Sequence, residues 1–279
     1  MDTERINIKT LEAVIREAGK IITEAGRCGD KDIDRKAGVG NFVTRYDVAV
    51  QTFLERGFSE ALPGAGFLAE EDPGESEKSA DASGYMFVID PIDGTANFIR
   101  GAKQSVISVA LLKASEAIWA AVLQPYTGDL YTAEKGLGAR LNGIPVHVNN
   151  NPLTESLISF GTSPYYRETL GRKSMVMAAN VLAECLDIRR SGSAALDLCH
   201  VASGTTDGFF EFRLSPWDYA AGSLIITEAG GMIGDMEGRP LPLLCRRGSS
   251  VLAGCAANIG RLRELAAGAG QEEQSCSAE

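Results

Sequence analysis

The chain has 279 residues, 44% of them hydrophobic and 23% charged, with a formal net charge of −10. That length accommodates one large domain or two intimate ones, and the composition is that of an ordinary globular protein. The acidic balance excludes a basic stripe for a nucleic-acid backbone, no apolar run approaches the roughly 18 residues of a membrane span, and the two histidines, His147 and His200, are too few for a histidine-based zinc site.

Ile8, Leu11, Ile15, Ala18 and Ile22 recur at helical spacing and predict an amphipathic helix over 7–26. The stretch "GRCGDKDIDRKAGVGN" that begins at Gly26 reads as a long polar loop. A second helix is predicted over 47–62, with Val50, Phe53, Leu54 and Phe58 as its apolar face and Pro63-Gly64 as its stop. From Gly66, "GFLAEED", "GYMFVID", "SVISVALLK", "AIWAAVLQP" and "DLYTAEK" are short β-type runs between turn signals. They predict a largely antiparallel sheet carrying the two helices. "GIPVHVNNNPLTES" closes this half, and a domain boundary is expected near residue 150.

The second half alternates strand "LISFG", helix 166–185, strand "DIRR", helix 194–203, strand "DGFFEF" and helix 218–230. Such alternation predicts an α/β layer with helices on both faces. The last residues are small and polar, and 268–279 are expected to fray. Cys28, Cys185, Cys199, Cys245, Cys255 and Cys276 form no CxxC pair, and Met1–Arg5 lack the basic and apolar regions of a secretory signal. A reduced, cytoplasmic setting is expected.

The chemistry concentrates in "VIDPIDGTANF", residues 88–98. Asp-Pro and Asp-Gly are turn dipeptides, so a strand-ending turn explains Pro91, Gly94 and one acid. It leaves the second acid unexplained, together with Glu70 and Glu71 at the end of the preceding strand. If the two strands are parallel neighbours, their ends gather four or five carboxylates that cannot all stay ionised unaided. Hard cations with oxygen ligands would relieve that repulsion. Asp218 in "SPWDYAAG" stands before a helical pattern and reads as an N-cap whose free oxygen can still face a cation. Gly94-Thr95 offers backbone N–H groups to a phosphate oxygen. Asp47 reads as a further N-cap with Thr44. His200 is expected in the core, His147 in a strand, and Trp217 and the "GFFEF" aromatics in packing. No GxGxxG or Walker loop is present.

Asp90 to Phe98 match the pattern D-P-[IL]-D-G-T-x-N-F in full, and Trp217 to Gly222 match W-D-x-A-A-G. Ala69-Glu70-Glu71 corresponds to G-E-E with its glycine replaced. Asn41 to Asp47 corresponds to D-x-V-T-x-x-D with its first acid replaced. In these residues the chain resembles the inositol monophosphatase family, within the wider Mg²⁺-dependent, lithium-sensitive phosphatases, over about residues 8–265.

The resemblance implies an α/β fold with an α+β N-terminal half and an α/β C-terminal half, layered as the α-β-α-β-α sandwich of the sugar phosphatases. Residues 1–150 would carry the main metal and phosphate motifs, and 151–279 Asp218 and the substrate side. It implies that Glu70, Asp90 and the Ile92 carbonyl hold one Mg²⁺, that Asp90, Asp93 and Asp218 hold a second, and that a third sits more loosely against Glu70. Thr95 with Asp47 would orient the attacking water, which Glu70 helps make nucleophilic. Gly94 and Thr95 would bind phosphate through their N–H groups, and Lys36 would approach from above. Gly192, Ser193, Ala194 and Glu211 would face the alcohol.

The implied activity is hydrolysis of a small phosphate monoester, inositol 1-phosphate first among them, by a lithium-sensitive cytoplasmic homodimer with no nucleic-acid or membrane partner. Fructose-1,6-bisphosphate, 3′-phosphoadenosine-5′-phosphate, histidinol phosphate and NADP are alternatives, as is a non-catalytic metal- or phosphate-binding regulator. A D-x-D-G-T phosphatase of the haloacid dehalogenase type is out of register, because Pro91 and Ile92 both separate the acids.

Overall fold

Successive residues of the central strands bury into opposite faces, and this alternation builds the layers. The computed structural model describes residues 6–25, 33–35, 42–72 and 84–276. Among them the N-terminal elements are α1 (Ile8–Ala25), β1 (Ile33–Arg35), β2 (Phe42–Thr44), α2 (Arg45–Ala61), β3 (Gly66–Ala69), β4 (Tyr85–Asp93) and α3 (Thr95–Arg100). A meander follows: β5 (Val106–Lys113), β6 (Glu116–Gln124), β7 (Asp129–Glu134), β8 (Gly138–Leu141) and β9 (Ile144–Val146). Then come β10 (Leu157–Phe160), α4 (Arg167–Leu182), β11 (Asp187–Arg189), α5 (Ala194–Ala202) and β12 (Gly208–Leu214). The chain continues through α6 (Pro216–Glu228), β13 (Met232–Gly234), β14 (Ser249–Gly254) and α7 (Ile259–Cys276).

Strands β3 to β9 form a seven-stranded sheet in sequence order, antiparallel except for the parallel β3–β4 pair. A five-stranded sheet runs β11-β10-β12-β14-β13. Phe87, Ile89, Val109, Leu111 and Trp119 face α1 and α2, meeting Leu11, Ile15, Leu54 and Phe58. Phe58 stacks on Phe87 with ring centroids 4.4 Å apart. The other face of the same sheet, with Val88, Ala110 and Val122, packs on α5 and α6, whose far side meets Phe209, Val251 and Ala253 of the second sheet. The outer face of that sheet, with Ile158, Phe210 and Leu252, is covered by α4 and α7. The order is helices, sheet, helices, sheet, helices: the α-β-α-β-α sandwich expected.

Several boundaries differ from the sequence reading. A strand, β1, lies within the expected polar loop and pairs with β2, Ile33 opposite Thr44. Helix α2 starts at Arg45 because Thr44 is its N-cap, so Asp47 sits inside the first turn. Likewise α6 begins at Pro216 with Ser215 as N-cap, and Asp218 is its third residue. His147 falls just beyond β9. Of the tail expected to fray, 268–276 belong to α7, whose Leu262, Leu265, Ala266 and Ala269 bury against α4 and the second sheet, and alanine favours helix; 277–279 lie outside the described residues. The short β13–β14 ladder was not predicted, since its strands are separated by a glycine- and proline-bearing stretch.

The connection between the sheets is held by one buried carboxylate. Asp207 Oδ1 accepts from Asn149 Nδ2 at 3.0 Å and Asn151 Nδ2 at 2.9 Å, and Oδ2 accepts from the Leu157 N–H at 2.7 Å. Asp207→Ala would strand the Asn151 amide and the Leu157 N–H and leave Asn149 Nδ2 only the Gly204 carbonyl, and we expect it to lower the unfolding free energy by about 2–4 kcal/mol, read from urea melts.

Candidate active site

The site begins where the parallel β3–β4 pair of the first sheet ends. Ala69 is level with Ile89, so Glu70 and Asp90 leave adjacent strands side by side, and the Glu70 N–H still reaches the Ile89 carbonyl at 3.2 Å. Against β5 the register slips between Asp90 and Asp93, an extra residue on β4 that re-aims its end. The Asp90 Oδ1 accepts from the Ile92 N–H at 3.0 Å, which holds this turn. Gly94 follows at φ 86°, a conformation that favours glycine, and its carbonyl accepts from Phe98 N–H to begin α3.

Asp218 enters from α6, its Oδ2 accepting from the Ser215 N–H at 2.6 Å. Asp90, Asp93 and Asp218 each offer a carboxylate oxygen, and these oxygens lie within 4.8 Å of one another. Asp90 and Asp93 are buried and Asp218 is half-buried. Burial pushes the Asp90 carboxyl well above the usual range, and Glu70, Asp93, Asp218 and Asp47 push the same way. Burial and then the charges of Asp93 and Glu70 likewise raise Asp218. Acids this close, this buried and this mutually repelling suit a hard divalent cation, which favours the ionised form and takes oxygen ligands.

Asp93 is set differently. Its Oδ2 accepts from Ser193 Oγ at 2.6 Å and from the Ala195 N–H at 2.7 Å, so it occupies the N-terminus of α5. Burial raises this carboxyl as well, while the Ser193 hydroxyl and the Ala195 N–H oppose the rise. The Ala194 and Gly94 N–H groups oppose the rise as well. Ser193, predicted beside the alcohol, thus has its hydroxyl committed to Asp93. It still lines the cavity together with Gly192 and Ala194.

Asp47 serves as both cap and site residue. Its Oδ2 accepts from the Thr44 N–H at 2.7 Å and Oγ1 at 2.5 Å, and its Oδ1 lies 3.3 Å from Thr95 Oγ1. The Thr95 hydroxyl is also 3.1 Å from the Ile92 carbonyl. Its single proton therefore serves one acceptor at a time.

Glu211 on β12 faces the same cavity, and its Oε1 accepts from the Ser163 N–H at 2.7 Å. Gly161 makes room for it: a Cβ there would lie 1.7 Å from Glu211 Oε2. Burial pushes Glu211 up to about 8, with the Ser163 N–H and the Arg190 charge opposing. Asp197, also buried, is pushed up to about 7 by burial against the Ser191 hydroxyl.

The cavity encloses about 700 Å³ and brings together Glu70, Asp90, Ile92, Asp93, Gly94 and Thr95. It also includes Gly192, Ser193, Ala194, Glu211 and Asp218. Lys36 lies outside the described residues. Trp217, expected only to pack, lines the cavity too, with the Arg246 guanidinium 5.5 Å from its ring. His200 is half-buried on α5, and burial lowers its pKa. Sequence reasoning missed Asn97, whose Nδ2 donates to Gln104 O at 2.9 Å and Ser191 O at 3.0 Å, tying α3 to the loop before α5. Its place in the "GTANF" motif was the available signal. Gly161, Ser163 and Asp197 were missed as well; the turn residues after "LISF" hinted at the first two.

A family model for the inositol monophosphatase family matches residues 4–273. The chain is 38% identical over 234 residues to an inositol-1-monophosphatase of Rhizobium meliloti, covering 84% of this chain and 86% of that protein. It is 39% identical over 233 residues to a putative Nus factor SuhB of Neisseria meningitidis serogroup A, covering 83% and 87%. Among solved structures, the extragenic suppressor protein suhB of Bartonella henselae superposes with a TM-score of 0.85 at 31% identity, covering 93% of this chain and 97% of that one. An IMPase of Thermotoga maritima gives 0.83 at 26% identity, covering 97% and 99%. Fold and family together support a phosphatase. The chain belongs to the inositol monophosphatase family.

With a folded-state pKa of about 8 against an ordinary 4.5, Glu211 keeps a proton that the unfolded chain has lost. The stability it contributes is therefore full below about pH 4.5 and is lost as pH rises to about 8. In EDTA, Glu211→Gln is expected to shrink the fall in unfolding free energy between pH 5 and 8 by roughly 1–3 kcal/mol, measured by urea denaturation.

Proposed function

We propose that the protein hydrolyses a small phosphate monoester, inositol 1-phosphate in the first instance, as a cytoplasmic, Mg²⁺-dependent homodimer. The observation that carries the reading is the convergence of Asp90, Asp93 and Asp218 within 4.8 Å, next to the Thr95–Asp47 pair. The free thiols of Cys185, Cys199, Cys245 and Cys255 suit the reduced compartment.

Glu70, Asp90 and the Ile92 carbonyl would hold one cation, and Asp90, Asp93 and Asp218 another. When bound, such ions supply charge neutralisation at the phosphoryl group and activation of water. The Thr95 hydroxyl, with its proton on Asp47 Oδ1 or the Ile92 carbonyl, keeps a lone pair for the attacking water and so orients it. Asp47 can hold that position because its second oxygen is anchored by Thr44. The Glu70 carboxylate would take the water's proton. Gly94 and Thr95 would offer backbone N–H groups to a phosphate oxygen, and the left-handed glycine would let the backbone come close. Glu211 and the 192–194 loop would receive the alcohol. Ser193 acts through Asp93, whose carboxylate its hydroxyl holds in place.

A second reading is favoured by the relatives named Nus factor SuhB, which have comparable identity to the chain. In it the chain serves a regulatory role with the same fold. A variant that loses phosphate release yet keeps the cellular role would support it.

Phosphate release from inositol 1-phosphate should require Mg²⁺, stop with EDTA, and fall about 10²- to 10³-fold in Asp93→Asn while far-ultraviolet circular dichroism stays unchanged. Full activity in that variant or in EDTA would overturn the mechanism. Ser193→Ala is expected to weaken divalent-ion binding by about 10- to 100-fold in calorimetry, with Ser193→Thr restoring most of it.

A further inference from the structure

Glu70 and Asp218 reach the carboxylate cluster from different halves of the chain, and one side chain touches the residue before each of them. The Arg246 guanidinium lies over the ring of Trp217, which precedes Asp218, with Cζ 5.5 Å from the ring centroid. Its Nη2 donates to the carbonyl of Ala69, which precedes Glu70, at 3.4 Å and stands 3.6 Å from Asp72 Oδ2. Arg246 itself is not among the residues that line the catalytic cavity.

Both ends of this bridge are anchored. On the Asp218 side, Tyr219 Oη donates to the Pro242 carbonyl at 2.6 Å. Gly248 comes so close to the end of β12 that a Cβ would lie 2.1 Å from the Leu214 carbonyl oxygen. The segment that carries Arg246 is thus pinned before and after it to the start of α6. On the Glu70 side, Asp72 Oδ2 accepts from the Ala69 N–H at 3.3 Å and Oδ1 from Gln51 Nε2 at 3.0 Å, while Gln51 Oε1 accepts from the Glu71 N–H at 3.0 Å. The Asp72 side chain is 4% exposed and that of Arg246 22%, so solvent screens their pairing little.

Charge and position make opposite demands on this residue. As a bare charge, a guanidinium near a cation site repels the ion and weakens its binding. As a clamp between two ligand-bearing segments, it strengthens binding by holding the ligands at their spacing. The charges that chiefly act on Asp90 and Asp218 are those of neighbouring carboxylates, and Arg246 is not among them.

We infer that Arg246 is a positioning residue: by holding Ala69 and Trp217 together through its planar fork, it sets the separation of Glu70 and Asp218 across the cation site. This rests on the metal-dependent reading above and names a residue that fixes the geometry of its site.

The test measures Mg²⁺ binding to the full chain by calorimetry in the wild type, Arg246→Met and Arg246→Lys. Methionine keeps an apolar stem on Trp217 and removes the charge. Lysine keeps the charge but has no planar fork to reach Ala69 while lying flat on the indole. Both variants should bind Mg²⁺ about tenfold more weakly, the low end for a residue that acts on ligands from behind, because contacts of 3.4 and 3.6 Å are long. The dissociation constant comes from the shape of the titration, and a partly unfolded sample lowers only the stoichiometry. Tighter binding in Arg246→Met would overturn the inference in favour of a field effect, and unchanged binding in favour of a role in the fold alone. Wild-type affinity in Arg246→Lys would overturn it too, since charge without reach would then suffice, and this variant decides alone if Arg246→Met does not fold. A wild-type chain that binds no Mg²⁺ would instead sink the metal-dependent reading itself, and this inference with it.

Discussion

Repulsion among buried carboxylates is the constraint on which the rest of the structure depends. Glu70, Asp90, Asp93 and Asp218 would not gather in water, and the chain brings them together through its backbone geometry. The parallel pairing of β3 and β4 places two of them level, the bulge on β4 turns the third, and the first turn of α6 supplies the fourth. Helix and sheet burial on both faces supplies the stability that such a cluster consumes.

The same anchoring principle recurs around the site. Three of the acids have one oxygen tied to backbone N–H groups or hydroxyls at a helix start. Asp218 is tied to Ser215, Asp93 to Ser193 and Ala195, and Asp47 to Thr44. The cap positions of three helices are thus also the hinges of three site residues, and local helix-starting chemistry doubles as preorganisation.

How much of this could be read beforehand follows from distance along the chain. The run from Asp90 to Phe98 was legible because its turn, its glycine and its acids are all local, and the parallel partnership with "FLAEED" could be posed from strand-end chemistry alone. Periodicity marks the separate helices and strands, while the order of the layers is implied by the family resemblance. Asp47 looked like a simple cap because spacing cannot show that its second oxygen meets Thr95, 48 positions away. The tie of Ser193 to Asp93 spans 100 positions and leaves no periodic trace. The space at Gly161 is visible only once β10 and β12 are paired. Residues 268–276 read as a fraying tail because their small, polar composition carries no trace of the burial of Leu262, Leu265 and Ala269 that anchors α7.

Polar straps cross from the first sheet's elements to the C-terminal ones, among them Asp93 to Ser193 and Ala195, Asn97 to Ser191, Ser108 Oγ to the Trp217 carbonyl at 3.1 Å, and the Gly136 and Gly138 N–H groups to Glu228. Neither half of the chain owns a finished site. Docking the halves and assembling the carboxylate cluster are one event, so any slippage between the sheets dismantles the chemistry before it unfolds either layer. The centre reports the integrity of the whole sandwich, and its precision can be no better than the fit between the two sheets.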